Sequence, residues 1–466
     1  MKKIIAFTLA LILMLSLCAC SAAEKETKGL QVGYGRVDIT PGYPVAIAGS
    51  AAEKISQGAK DPIYVTFIAL RYAEETFLVA TMDFVGAYKE YGNPARARIS
   101  QDTGIPEDHI ILNATHTHSS VSISSADKEG ISKYQVEFFT WASDAAKAAI
   151  EDLSPAEVWY SSTQAKGMAT VRHYEMNDGT YYGSNFGSAA SGIKKHVKDA
   201  DVEMQIIKFV RPAEDKKDIV LMNFPAHATM HSENYISADF PGPARDYIAE
   251  QTDTLVAYFI AAAGNQTGSS KIPGEPFSAD YRVYGQELGR IAVECMNSLT
   301  KVEAKDIRFS IQNYTAQSNK AGLEKLADAQ KVKAIWDQVG GRGTAEGKAA
   351  AKQHGFDSVY EVTAILNRVG LADTRKVEMK TLAVGDVAFI FAPYEMFAEN
   401  GVYVREHSPY PMTFVISCSL DLDGYMPAEY GYDIMCYEAQ ITRYARGTAE
   451  KLAEEFVKML TEMKEK

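Results

Sequence analysis

Apolar, β-branched runs alternate with amphipathic stretches along nearly the whole of this chain, and that alternation confines it to an α/β architecture. Residues 63–71 and 76–84 read as a hairpin turned at Ala73-Glu74-Glu75. A short helix at 94–103, a strand at 109–114 and an amphipathic helix at 134–151 follow. Further strands are expected at 156–162, 203–211, 218–224 and 255–262, with helices at 241–252 and 278–299. Strands at 377–384 and 387–393 precede a closing helix from Ile441. The expectation is mixed β-sheets flanked by helices. Residues 320–371, rich in Ala, Lys, Glu and Gln, read instead as a helical insertion broken at Gly340-Gly341-Arg342-Gly343. No strand precedes that cluster and Gly-x-x-x-x-Gly-Lys-Ser/Thr is absent, so it is a helix–helix turn, not a phosphate loop. No internal repeat is legible.

The chain begins Met1-Lys2-Lys3, continues with an apolar run over 4–17, and reaches Leu17-Cys18-Ala19-Cys20-Ser21. A positive end, an apolar stretch too brief to span a bilayer and small residues at the cut describe a secretory signal. Leu-x-Ala-Cys resembles a bacterial lipobox, with Cys20 as the lipidated residue. The expected organisation is a signal peptide at 1–20, a tether at 21–30 and a single catalytic domain at 31–466. The protein is then exported and held at the bacterial cell-membrane surface by lipid on Cys20. A net charge of −12 argues against a nucleic-acid partner. Beyond the signal, Cys295, Cys418 and Cys436 form no C-x-x-C pair and are expected as buried free thiols.

Chemistry concentrates in loops that follow apolar strands. Asn113-Ala114-Thr115-His116-Thr117-His118-Ser119 is one; if the strand continues, His116 and His118 share a face, a good beginning for zinc. Asn223-Phe224-Pro225-Ala226-His227-Ala228-Thr229-Met230-His231 is the second and supplies further imidazoles. Glu395 lies just after a strand, where a helix is expected to begin, a place that also suits an ordinary first-turn acid. Asp423-Gly424-Tyr425-Met426-Pro427 and Met435-Cys436-Tyr437-Glu438-Ala439 make a tyrosine-rich loop.

Together, Gly33-Tyr34-Gly35-Arg36-Val37-Asp38-Ile39-Thr40-Pro41, Thr115-His116-Thr117-His118-Ser119 and Ile236-Ser237-Ala238-Asp239-Phe240-Pro241-Gly242 resemble the catalytic domain of neutral/alkaline ceramidases. Ala263-Gly264-Asn265, Ala392-Pro393-Tyr394-Glu395, Gly424-Tyr425-Met426-Pro427 and Tyr437-Glu438 continue that family's order. The resemblance implies one zinc ion per chain, held by His116, His227, Glu395 and Tyr437. It implies His118 as general base or substrate contact, and Arg172, in Val171-Arg172-His173-Tyr174, facing the scissile carbonyl, with His173 a lesser candidate. Tyr437 would also stabilise the oxyanion, and Asp239 would either orient a histidine or serve as a helix N-terminal acid. The chain departs from the family at Tyr394 and Cys436, where glycine is usual, and at Ser119-Ser120-Val121.

The activity implied is zinc-dependent hydrolysis of an amide, that of ceramide or another N-acyl lipid, by zinc-activated water; the partner is then an amphiphilic or small amide. Two alternatives stay open. One is a zinc amidase or esterase for another cell-envelope substrate, with His116, His118 and His227 as three ligands. The other is a non-catalytic ligand-binding lipoprotein.

Overall fold

A computed structural model describes residues 29–49, 54–125, 128–186, 191–275 and 280–466. The expected signal peptide and residues 21–28 of the expected tether lie outside the described residues. The tether ends earlier than expected, because Leu30 is packed in the core and its carbonyl accepts from Ala156 N.

The architecture is α/β, with mixed sheets flanked by helices, and it is organised as three copies of one unit. Each unit is a run of three antiparallel strands, a helix, a fourth strand parallel to the third, and a second helix. The first comprises Gln31–Asp38, Tyr64–Tyr72, Glu75–Met82, helix Lys89–Thr103, Ile110–Ala114 and helix Ile131–Glu151. The second comprises Glu157–Gln164, Glu203–Val210, Ile219–Phe224, helix Pro241–Thr252, Leu255–Ile260 and helix Tyr281–Cys295. The third comprises Ile307–Gln317, Thr374–Val384, Val387–Phe391, helix Ala398–His407, Met412–Ile416 and helix Thr448–Glu465. Unit strands keep the same spatial order in each of the three sheets. The sequence conceals this repeat because only burial pattern and connectivity are shared, not residue identity.

The central strands of each sheet are buried on both faces, which is why they read as near-continuous apolar runs, whereas Glu157–Gln164 and Ile307–Gln317 are half-exposed. The inner faces of all three meet in one core that includes Ile68, Val79, Leu221, Phe259, Phe389 and Phe414. Each outer face is covered by its own pair of helices. In the first unit the approach is closest at Gly33 and Gly35. A Cβ on either would sit 2.0 Å from the carbonyl of Ala149 or Ala145 on the covering helix, so only glycine fits.

Boundaries shift where local signals compete with packing. The helix expected from Pro94 starts at Lys89, since burial of Tyr91 and Gly92 extends it across the proline. The closing helix begins at Thr448 rather than Ile441, behind Gly447 at φ 78°. The insertion lies within the connection between the first two strands of the third unit and contains helices Leu326–Gln338, Ala345–Gln353 and Val359–Arg368. Its second break, unforeseen, comes at Gly355 (φ 78°) and Ser358, whose hydroxyl accepts from Glu361 N as an N-cap.

A buried ion pair ties the first two units beneath the histidine loop. Asp83 receives both Arg245 Nη1 and Nη2 at 2.8 Å, Tyr64 N at 2.9 Å and Thr115 Oγ1 at 3.2 Å. Arg245→Met strands that carboxylate and should cost about 3–5 kcal/mol. The check is the denaturant midpoint, which should fall at unchanged slope.

Candidate active site

The parallel strand pair of every unit ends at the same pole of the molecule, and the loops leaving those ends meet. His116 follows Ile110–Ala114, His227 follows Ile219–Phe224, and Glu395 follows Val387–Phe391. Strand alternation does not align His116 with His118, because the strand stops at Ala114 and His116 takes a left-handed φ of 65°. That turn brings their Nε2 atoms to 3.2 Å instead. Nor does Glu395 open a helix: Glu395–Met396 pairs in parallel with Tyr425–Met426, and the helix starts at Ala398 with Glu399 as its first-turn acid. Glu395 Oε2 lies 3.3 Å from His116 Nε2 and 3.1 Å from His227 Nε2.

The hydrogen-bonding chemistry of this cluster is unusual. His116 Nδ1 donates to the Val85 carbonyl at 2.6 Å, His227 Nδ1 to Ala263 O at 2.7 Å, and His118 Nδ1 to Gly49 O at 3.2 Å. With Nδ1 protonated, each neutral ring offers only a lone pair at Nε2. Three such nitrogens and a carboxylate then face one another in a buried site with no donor between them. The arrangement requires positive charge at its centre, and a divalent metal fits the donor set. Burial, with His116 and His227 nearby, depresses the His118 basicity to about 3. Burial likewise takes His227 to about 4, helped by Arg172 and His116. Burial also opposes charge on His116, yet Cys418 and Glu395 outweigh it and push its basicity well above that of an ordinary imidazole. The His116, His118 and His227 ligand atoms form one of two groups able to hold a metal among the described residues.

The second group, His173, Cys436 and Glu438, has a different character. Glu438 is fully buried, and Arg172 Nε reaches it at 2.8 Å, His173 Nε2 at 2.8 Å and Asn185 Nδ2 at 3.0 Å. Burial works against its charge, but Arg172 and His173 hold the carboxyl down to about 2. An arginine already at the carboxylate leaves no need for a metal. Arg172 Nη2 also donates to Gly264 O at 2.7 Å and to the Tyr425 hydroxyl at 3.2 Å. Glu438 therefore fixes Arg172 beside the histidine cluster. Gly264 is required there, since a Cβ would lie 2.7 Å from Glu395 O.

His118, Arg172, Tyr425 and Tyr437 line one cleft of about 620 Å³. The two tyrosines occupy different places. Tyr425 is the strand partner of Glu395, so their side chains share a face, and its ring stacks on His227 at 6.5 Å and 15°. Tyr437 packs farther out, against Tyr425 at 5.9 Å and Tyr360 at 4.8 Å. Its hydroxyl is pushed up to about 12 by burial and then by the Glu395 charge. Tyr425 and Glu438 were not singled out as functional from sequence, although both sit within the motifs Gly424-Tyr425-Met426-Pro427 and Tyr437-Glu438. His173 is a second support for Glu438, with its Nδ1 at 3.1 Å from the Tyr430 hydroxyl. Asp239 touches no histidine ring: its carboxylate accepts from the backbone N of His231 and Phe240, shaping the turn before Pro241. His231 instead bonds Ser119 through Nδ1 at 2.9 Å. Cys295, Cys418 and Cys436 are buried free thiols.

Three stacked αβ layers around a shared core, with a histidine–glutamate cluster at the strand ends, define the class of fold. No protein-family model matches the chain, and no curated protein matches it. Solved structures do. The chain superposes on the neutral ceramidase from Pseudomonas aeruginosa with a TM-score of 0.67 at 18% identity, over 94% of this chain and 75% of that one. A ceramidase complexed with C2 gives 0.68 at 17% identity with the same coverage. The fold is that of the neutral ceramidases.

A converged acceptor cluster should bind a divalent ion tightly in the folded state alone. Zinc at a hundredfold excess over its Kd should stabilise the protein by about 2.7 kcal/mol, seen as a rise in Tm. In His116→Ala and Glu395→Gln that rise should vanish.

Proposed function

We propose that the protein is a zinc-dependent amidohydrolase that cleaves an N-acyl amide, of which ceramide is the prototype suggested by its structural neighbours. The observation that carries this reading is the meeting of imidazole and carboxylate lone pairs beside a carboxylate-anchored arginine in one cleft. His116, His227 and Glu395 would hold the metal. Tyr425 is better placed than Tyr437 to complete the set, through its pairing with Glu395. Zinc bound there would supply a Lewis acid beside the scissile carbonyl and make water nucleophilic near neutrality.

The chain's own groups divide the remaining work. His118 lines the cleft, and Gly49 O holds its Nδ1 protonated, so its Nε2 is the atom that can take a proton from the attacking water. The same atom can return that proton to the departing amine. Arg172, fixed by Glu438, presents positive charge to the carbonyl oxygen as it becomes negative. The Tyr437 hydroxyl, still protonated at working pH, is a second donor on the cleft wall. The lipid at Cys20 would keep this cleft at the membrane surface, where N-acyl amides reside.

Purified protein should carry zinc and cleave a fluorescent N-acyl amide, and removal of the metal should abolish cleavage. Arg172→Met should lower kcat by about 10²–10³. His118→Ala should lower it by about 10²–10⁴ while zinc content persists. Loss of zinc in His118→Ala would instead make His118 a ligand. Zinc without cleavage of any acyl amide would overturn the amidase reading.

A further inference from the structure

Part of the cleft wall comes from equivalent segments of the three units, each joining the first strand to the second. Residues 39–63 contribute Lys54, residues 165–202 contribute Arg172, and residues 318–373 contribute Arg342. Lys271, from the loop after Leu255–Ile260, adds a fourth cation. On a chain of net charge −12 this concentration is out of proportion. Arg172 is neutralised by Glu438. Glu233, the one carboxylate on the lining among the described residues, is paired with Lys60 at 3.2 Å. Lys54, Lys271 and Arg342 have no carboxylate partner among the described residues. Lys54 Nζ donates to the Ser232 carbonyl at 2.8 Å, which leaves its charge uncompensated.

Arg342 is the most deliberately placed of the three. It belongs to the Gly-Gly-Arg-Gly turn between helices Leu326–Gln338 and Ala345–Gln353. Gly340 and Gly341 take φ of 82° and 115°, a conformation that L side chains resist, and the turn carries Arg342 to the cleft. Its Nη1 donates to Thr363 Oγ1 at 3.0 Å, and its guanidinium lies over the Tyr360 ring at 5.6 Å. No other hydrogen bond engages its guanidinium among the described residues, and it lines the cleft. Ile47 is the single aliphatic side chain among the described lining residues, which are otherwise hydroxyl, amide, imidazole, tyrosine or charged. A more apolar neighbour exists: a cleft of about 760 Å³ shares Asn185 and Tyr360 with this one and is walled by Tyr181, Phe186, Val359, Ile434 and Met435, with Lys348, Lys352 and Asp357 also on its lining.

We infer that the substrate is an N-acyl amide whose amine portion carries an anionic group, a carboxylate or a phosphate, bound by Arg342 with Lys54 and Lys271. The acyl chain lies toward the more apolar cleft. This rests on the amidase reading and narrows it away from neutral ceramide. Arg342 is then a specificity residue supplied by the helical insertion.

The test compares kcat/KM of the zinc-loaded chain for N-lauroylglycine, N-lauroylphosphoethanolamine and N-lauroylethanolamine, which share an acyl chain and differ in the anion. At least one anionic amide should be preferred over the ethanolamide by about tenfold or more, and the preferred one identifies the anion. Arg342→Gln should reduce that preference by about tenfold, Arg342→Lys should restore part of it, and added salt should erode it. Equal cleavage of all three, or a preference unchanged in Arg342→Gln, would overturn the inference. If no amide is cleaved, the amidase reading fails, and calorimetric binding of N-lauroylglycine to the intact chain decides the anion site. Binding weakened tenfold or more in Arg342→Gln sustains the site; equal binding, or none to the wild type, refutes it.

Discussion

Lone pairs from three imidazoles and a carboxylate face one another within 3.1–3.3 Å at the pole where the parallel strands end. Bare acceptors held this close in a low-dielectric site repel unless something positive lies between them. Each ring is turned to this task by a backbone carbonyl at its far nitrogen, that of Val85, Ala263 or Gly49. Backbone acceptors behind metal-facing histidines are a known way to fix both tautomer and ring orientation. The neighbouring features follow from the same demand. Gly264 exists so that the Ala263 carbonyl can reach His227 while its own chain passes against Glu395.

The threefold repetition explains how so many polar groups converge without a long structured loop. One central core aligns three parallel strand pairs, so their C-terminal ends share a pole. Polar ties then lock the sheets together near those ends. Thr81 Oγ1 donates to Tyr258 O, Asn113 Nδ2 to Ser417 O and Asn223 Nδ2 to Val415 O. His116, His227 and Glu395 each follow a strand of a parallel pair, one from each unit, whereas Arg172 comes from the segment joining the first two strands of the second unit. The third unit's wall segment has expanded into a helical insertion with its own small core, and it brings Arg342 and Tyr360 to the cleft.

Much of this was legible in the sequence, and the exceptions have physical causes. Strands buried on both faces announce themselves as apolar runs, so the alternation and the polar loops after strands could be read directly. His116, His118, His227 and Glu395, which lie in those loops, are brought together, and Arg172, expected only from the ceramidase resemblance, lines the same cleft as His118. Their geometry was hidden, because it depends on a left-handed turn at His116 and on a two-residue pairing of Glu395 with Tyr425. Pairing of that kind joins residues about thirty apart and leaves no periodicity. Glu438 carries no role in the sequence beyond its place in Tyr437-Glu438, and only the fold shows that it balances Arg172. The repeat escaped notice because residue identity between units is not needed to keep an apolar face.

The central claim is a metal held by nitrogen and oxygen at the converged strand ends, with the nearby Cys418 thiol outside its shell. Zinc K-edge X-ray absorption on the purified protein tests it most directly. The account predicts ligands at about 2.0–2.1 Å with multiple scattering from two imidazoles and no sulfur. A shell at about 2.3 Å, the distance of zinc to thiolate, would contradict it, as would protein that takes up no zinc at all.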